Sequence, residues 1–375
     1  MRLASALKEF QYIAKREINY YQIRPTYALL FMTYRCTSRC KMCSMWQKKI
    51  NKSEELTLEK WKQVIDELYK LGICHIEFFG GDALLRKDML IDLVSYANKK
   101  NIYTEMPTNC NLLDSDTAVN LVGAGLDDLW VSLDGVEETH DTVRGRKGSF
   151  DKVDSALEAV NRAKNGKNSP RIFVNCVITK GNLNTFEKII PYAIERGIYG
   201  IDFEYVGEIT RDSVAKTEIH GIHPTPFFMS SEDSSLLINM EEAALLKRKL
   251  REINKNYKDE MIRLNTSKID ILSKDNIVSG KFPNKRCYIC RDWLTVDPFG
   301  NVIGCLHFNN YHVGNLKEEA LASIWKNDAH MEFIKARDRG LFDICNYCSN
   351  GAIRNNTVRQ ALESGFYKIM NRGKE

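Results

Sequence analysis

The chain has 375 residues, 43% of them hydrophobic, and a formal net charge of +5. That length is too great for one minimal domain and predicts a large domain with a smaller one. The mild charge demands no nucleic-acid partner though it would suit an anionic ligand, and no apolar run approaches the roughly 20 residues of a membrane helix.

Residues 1–26 begin the chain with Leu3, Ala6, Leu7, Phe10, Ile13 and Ala14 at helical spacing, which predicts an amphipathic helix packed on the main domain. Arg2, Lys8 and Glu9 interrupt the first ten residues, so they do not read as a signal peptide. From residue 27 strands and helices alternate. Strands are predicted over 28–33, 74–79, 102–106, 128–133, 171–178 and 200–206. Helices are predicted over 58–71, 87–99, 116–122, 150–163 and 184–196, the first capped by Thr57 and stopped by Gly72. Parallel strands need such crossovers, but the alternation over 27–215 fits an open doubly wound sheet as well as a barrel. Residues 211–235, with His220 and His223, read as a long loop. Residues 216–280 form a loop and helical connector, with a helix over 240–253. Within residues 281–350, a hairpin turns at Pro298 to Asn301 and a helix is expected over 320–337. Residues 351–375 read as a helical tail.

Eleven cysteines fall mainly into two groups. A secreted disulfide scaffold would be short and would spread its cysteines evenly, so we read a reducing cytoplasm and thiolates committed to metal. Cys36, Cys40 and Cys43, spaced C-x3-C-x2-C, follow the first strand at its C-terminal end, where barrel-like α/β folds place their active sites. A 4Fe–4S cluster has four irons needing terminal ligands, so three thiolates leave one iron open. Structural zinc would want a fourth ligand close by, and no histidine lies between Cys43 and His75. The second group is Cys287, Cys290, Cys305, Cys345 and Cys348. Five cysteines can fully ligate one cluster and not two, and the two C-x2-C pairs also fit a zinc ribbon. Cys74, Cys110 and Cys176 read as buried thiols acting as small hydrophobes.

The first cysteine motif is followed by Phe79-Gly80-Gly81-Asp82 and Val131-Ser132-Leu133-Asp134-Gly135. In that order the three segments resemble the radical S-adenosylmethionine (SAM) superfamily. The resemblance implies that Cys36, Cys40 and Cys43 hold a 4Fe–4S cluster whose open iron is chelated by SAM. It also implies reductive cleavage of SAM to a 5′-deoxyadenosyl radical, which abstracts hydrogen from substrate. By the same resemblance Met42, at a usually aromatic position, lies by the adenine. Gly80, Gly81 and Asp82 bind the SAM amino group, with Asp82 and Ala83 standing where the family has Glu and Pro. Asn109, in Thr108-Asn109-Cys110, and Ser132 are expected at the SAM site. Arg144 is expected to pair with the SAM carboxylate, and Cys110 is a candidate hydrogen-atom donor to the substrate radical.

The stretch from Cys287 to Cys348, with Gly314-Asn315-Leu316 and Ile324-Trp325, resembles the SPASM or shorter twitch extension of that superfamily. It implies one auxiliary iron–sulfur cluster, held by four of the five cysteines. Cys287, Cys305, Cys345 and Cys348 fit the twitch pattern, and Cys290 has the spacing of a SPASM ligand. A full SPASM domain adds further cysteines beyond Cys348, and residues 349–375 contain none. The implied fold is a partial (β/α)6 TIM-like barrel with a smaller C-terminal cysteine-rich domain. A flavodoxin- or ferredoxin-type electron donor is expected. No segment reads as a leader-peptide-binding domain, so the expected substrate is a small molecule or sugar-like metabolite, undergoing net oxidation or rearrangement. The alternatives are a peptide-modifying maturase that forms a crosslink or epimer, and a metal-binding regulator with a C-terminal zinc module. The mild charge and the lack of a basic cluster near the last cysteines weigh against the regulator.

Overall fold

The computed structural model describes residues 24–229, 236–284, 287–340 and 342–350. The expected tail over 351–375, and all but the end of the expected helix over 1–26, lie outside the described residues. Six strands form the centre of one sheet: β1 Tyr27–Phe31, β2 His75–Phe79, β3 Tyr103–Thr108, β4 Asp128–Ser132, β5 Arg171–Ile178 and β6 Gly200–Tyr205. They pair in parallel in chain order. The crossovers carry helices α1 Leu58–Leu71, α2 Lys87–Asn98, α3 Ser115–Ala124, α4 Glu138–Arg144, α5 Ser149–Lys164 and α6 Ile189–Glu195. Helix α4 has no counterpart in the sequence reading. Only His140 and Val143 of its residues are buried, too few to print a helical period.

Local chemistry starts and seats these helices. In α1 the Thr57 hydroxyl accepts from the Lys60 amide at 3.3 Å, and Trp61, Val64, Ile65 and Leu68 make the buried stripe. Burying each large side chain of that stripe contributes about 1.5–3 kcal/mol. It packs with Ala28, Leu30 and Met32 in one core cluster. The alternate residues of β1, Tyr27, Leu29 and Phe31, join a second cluster with Phe79, Phe227 and Trp293. Strand periodicity thus sends one set of side chains to the helices and the other to the inner wall. That wall is polar farther round the sheet. Glu105 receives Trp130 Nε1 at 3.1 Å and stands 3.2 Å from His75 Nε2, while Lys268 bridges Glu204 and Asp202.

The sheet runs beyond the six expected strands, in the order β10-β9-β8-β1-β2-β3-β4-β5-β6-β7. β7 Arg263–Asn265 adds in parallel to β6 within the stretch read as connector; three residues are too few to show alternation. β8 Trp293–Val296 adds in parallel to β1, and β9 Asn301–Ile303 and β10 His312–Asn315 continue it antiparallel. The predicted hairpin is therefore present, and it grows out of the barrel sheet itself. The helix expected over 320–337 is two helices, Leu321–Ile324 and Asp328–Asp338. Between them Lys326 takes φ 67° and the Asn327 side chain caps the second by accepting from the His330 amide at 2.9 Å.

Candidate active site and a cysteine-lined cavity

Cys36, Cys40 and Cys43 leave the C-terminal end of β1 on a loop that turns under the ends of β2, β3 and β4. Gly80 and Gly81 set how close this loop comes. A Cβ on Gly80, whose φ is +148°, would lie 2.5 Å from the Thr33 carbonyl, and one on Gly81 would lie 2.3 Å from the Arg35 carbonyl. The Gly81 amide donates to Thr33 O at 2.9 Å, and the Asp82 amide to Arg35 O at 2.8 Å. The glycines thus let two backbones touch, a requirement additional to any approach to ligand.

Asp82 is buried at the rim of the loop. Its carboxylate accepts from the Thr37 hydroxyl at 2.5 Å and from the Leu84 amide at 3.2 Å. Burial pushes this carboxyl up, while Thr37, Asn109 and the Leu84 amide pull it down; the net shift is upward. Asn109 Nδ2 donates to Thr37 Oγ1 at 3.2 Å and lies 3.8 Å from Cys36 Sγ. Arg144 is the last residue of α4 and its side chain is largely buried. Its Nε lies 2.6 Å from the buried Asp134 carboxylate, and its NH1 3.8 Å from Cys40 Sγ. Burial alone would pull the guanidinium down, but Asp134 and Cys40 hold it charged, above its ordinary value. Met42 is buried in the core cluster beside Cys40. Ser132 ends β4, in register with Asn175 of β5. Of the three thiols expected to be buried, Cys176 is and Cys74, at the edge of β2, is exposed; Cys110 is buried in the core cluster with φ 63°, and burial pushes its thiol up to about 12.

The structure therefore gathers Cys36, Cys40, Gly81, Asp82, Asn109 and Arg144 around one loop. It adds groups that the sequence reading passed over. Thr37 is a hub, taking Asn111 Nδ2 at 3.0 Å while it donates to Asp82. The fully buried Thr33 hydroxyl donates to Glu55 at 2.5 Å, and Arg35 pairs with the same carboxylate at 3.2 Å. Thr37 lies inside the cysteine motif, which is the signal that could have flagged it. Glu55 lies in a stretch with no periodicity, and nothing in the sequence marks it.

All five C-terminal cysteines line one cavity, together with His307, Phe333, Arg337 and Phe342. Asn284 Nδ2 clasps the last pair, donating to Cys345 O at 2.6 Å and Cys348 O at 2.8 Å. Burial pushes the thiols of Cys290 and Cys305 up to about 12, and in the first loop it pushes Cys36 to about 11 and Cys43 to about 12. Sulfurs so placed give up their protons only in exchange for a cation, as metal binding provides. The donor sets, soft thiolates grouped in three and in five, fit iron–sulfur clusters. His307 was not singled out from the sequence. Burial pushes its imidazole down to about 4, and its Nε2 lies 3.2 Å from Cys348 Sγ.

One strap joins the two sites. The Ser44 amide, next to Cys43, donates to Phe227 O at 2.7 Å. The ring of the adjacent Phe228 meets His307 edge-on at 5.7 Å. Lys48 lies over the rings of Phe227 and Tyr34, 4.7 and 4.9 Å from their centroids, and donates to Asn309 at 3.1 Å. Among the described residues no helix is long and apolar enough to cross a membrane.

Residues 30–193 match the radical SAM superfamily, and residues 287–349 match the SPASM iron–sulfur cluster-binding domain. The chain is 27% identical over 365 residues to Fe-coproporphyrin III synthase of Methanosarcina barkeri (strain Fusaro / DSM 804), covering 90% of this chain and 84% of that one. It is 33% identical over 172 residues to PqqA peptide cyclase of Bradyrhizobium diazoefficiens, covering 46% of this chain and 44% of the cyclase. Streptococcus suis SuiB bound to precursor peptide SuiA shares the fold, with a TM-score of 0.62 at 14% identity over 91% of this chain and 74% of that one. The iron–sulfur domain over residues 287–349 replaces the zinc alternative for the second cysteine group.

Proposed function

This chain is a radical SAM enzyme with a SPASM domain, and we propose that it carries out a net two-electron oxidation of a peptide substrate. The strap of residues 225–228 carries the redox half of this reading, because it runs from the first cysteine loop to the C-terminal cavity. The peptide half is favoured by similarity to the peptide cyclase. When bound, the reduced cluster and SAM supply the hydrogen-abstracting deoxyadenosyl radical.

The chain's residues place and shield that chemistry. Cys36, Cys40 and Cys43 are the ligands of the first cluster. Asp82 accepts the SAM ammonium on a carboxylate that Thr37 already orients. Arg144, kept charged by Asp134, would supply a cation for the SAM carboxylate, and Asn109 and Ser132 would contribute further polar contacts to SAM. Met42 covers the adenine. Phe31, Tyr34, Phe79 and Phe227 pack ring against ring into an apolar wall next to the first loop, which would limit the access of water to it. Four of the five C-terminal cysteines would hold the auxiliary cluster, which would supply an acceptor for the electron left on the substrate radical. A flavodoxin- or ferredoxin-type donor in a reducing cytoplasm would supply the separate electron that reduces the first cluster, while the substrate's own first electron leaves with the abstracted hydrogen atom.

A second reading, a tetrapyrrole-like small molecule as substrate, is favoured by the full-length similarity to the coproporphyrin synthase. Anaerobically reconstituted enzyme, given dithionite and SAM, separates the two. Short peptides encoded beside the gene should stimulate 5′-deoxyadenosine formation and emerge lighter by two hydrogens. Stimulation by iron tetrapyrroles alone would transfer the assignment to the second reading. An oxidation yield of zero with both classes would overturn the proposal.

A further inference from the structure

His307 occupies a position that the cysteine ligands alone do not explain. It sits two residues after Cys305, is 5% exposed, and brings Nε2 within 3.2 Å of Cys348 Sγ. Its Nδ1 has no hydrogen-bond partner among the described residues. Nothing on the far side of the ring therefore fixes the tautomer. A cysteine sulfur bound to iron carries no proton, so the imidazole must be the donor, with its proton on Nε2. The Phe228 ring packs edge-on against it at 5.7 Å, and the burial of His307 leaves little water to compete for that bond.

We propose that His307 donates a hydrogen bond from Nε2 to the Cys348 sulfur of the cluster held in this cavity, and thereby raises the potential at which that cluster accepts an electron. Reduction adds negative charge to the cluster and its sulfurs. A donor fixed against one of those sulfurs stabilises the reduced form more than the oxidised form. The bond is a positioning and tuning contact, since His307 touches a ligand and not the substrate. The inference rests on the iron–sulfur reading of the cavity, and it stands apart from the choice of substrate.

The test uses full-length protein in which Cys36, Cys40 and Cys43 are replaced by Ala, so that only the auxiliary cluster titrates. Iron analysis comes first. If this parent binds no iron, the cluster reading of the cavity fails, and the proposal with it. With iron bound, an EPR-monitored redox titration compares the parent with His307→Phe and His307→Gln. His307→Phe should lower the reduced-to-oxidised ratio at fixed potential about tenfold, a shift of about 59 mV for one electron. His307→Gln, which keeps an N–H donor, should recover part of that shift. Should the Phe variant fail to hold iron, His307→Ala is read in its place. An unchanged potential in the variant lacking the donor overturns the proposal. So does loss of auxiliary iron in all three variants, which would make His307 a ligand or a scaffold residue.

Discussion

Cys36, Cys40 and Cys43 come from one short loop, whereas the second group is assembled from separate stretches between Cys287 and Cys348. The first loop is anchored by backbone contacts to Gly81 and Asp82 and by the Thr37 and Glu55 side-chain networks. The second has its five thiols facing one apolar-walled cavity, with Phe333 and Phe342 as neighbours. The first site is thus tied to the barrel through one loop, whereas the second draws together distant segments held by fewer contacts of their own, such as those from Asn284. Metal binding should couple to chemistry alone at the first site and to folding at the second.

The sharpest way to break that contrast is to empty the first site. Replacing Cys36, Cys40 and Cys43 together by Ala should abolish 5′-deoxyadenosine formation and leave about four of about eight irons. The melting temperature should stay close to that of wild type, because the anchors of the loop survive. A large drop in melting temperature would show that the first site, too, is folded by its metal. The complementary change, Cys305→Ala, should remove the auxiliary iron and lower the melting temperature by more than about 3 °C. Uncoupled SAM cleavage should persist while product disappears. A variant with full iron and normal product would exclude Cys305 as a ligand and leave Cys287, Cys290, Cys345 and Cys348.

The same contrast governs what the sequence could reveal. The barrel strands and their helices were legible because apolar residues such as Trp61, Val64, Ile65 and Leu68 keep one period over a whole helix. The three first-site cysteines were legible because all three lie within residues 36–43. The Thr37 hub, the Thr33–Glu55 bond and the His307–Cys348 contact were not, since each joins residues that only the tertiary fold brings together. The kinked pair of helices after residue 320 was hidden for a related reason. Lys326 takes a left-handed φ and Asn327 caps a new helix within a run that carries no glycine or proline to mark the break.

Within the first site the contrast sharpens at Asp82, which caps a turn and is the residue proposed to accept the SAM ammonium. Asp82→Ala should weaken SAM binding roughly 10- to 150-fold, as expected for losing a charge-assisted hydrogen bond of about 1.5–3 kcal/mol. Thr37→Val, which removes the orienting hydroxyl and keeps the carboxylate, should cost less. Equilibrium binding of SAM to the reconstituted protein measures both. Equal affinities for wild type and Asp82→Ala would show that the carboxylate serves the loop alone.

The smallest effect is expected at Cys110, where two explanations of one cysteine compete. A hydrogen-atom donor must reach the substrate, whereas Cys110 is buried within the core cluster and Asp82 adds to the burial that keeps its thiol protonated. Its left-handed backbone, φ 63°, is the conformation that a glycine would adopt without strain. Cys110→Gly relieves a penalty of about 1–2 kcal/mol and loses a small packed side chain in return, so the net change in stability should stay within about 1 kcal/mol. Cys110→Ala keeps the strain and removes the sulfur. If packing is what the thiol supplies, this variant should melt slightly lower and form product at the wild-type ratio to 5′-deoxyadenosine. A ratio that collapses while the melting temperature holds would instead make Cys110 the donor of the returning hydrogen atom. It would also mean that the wall between core and active site opens during turnover.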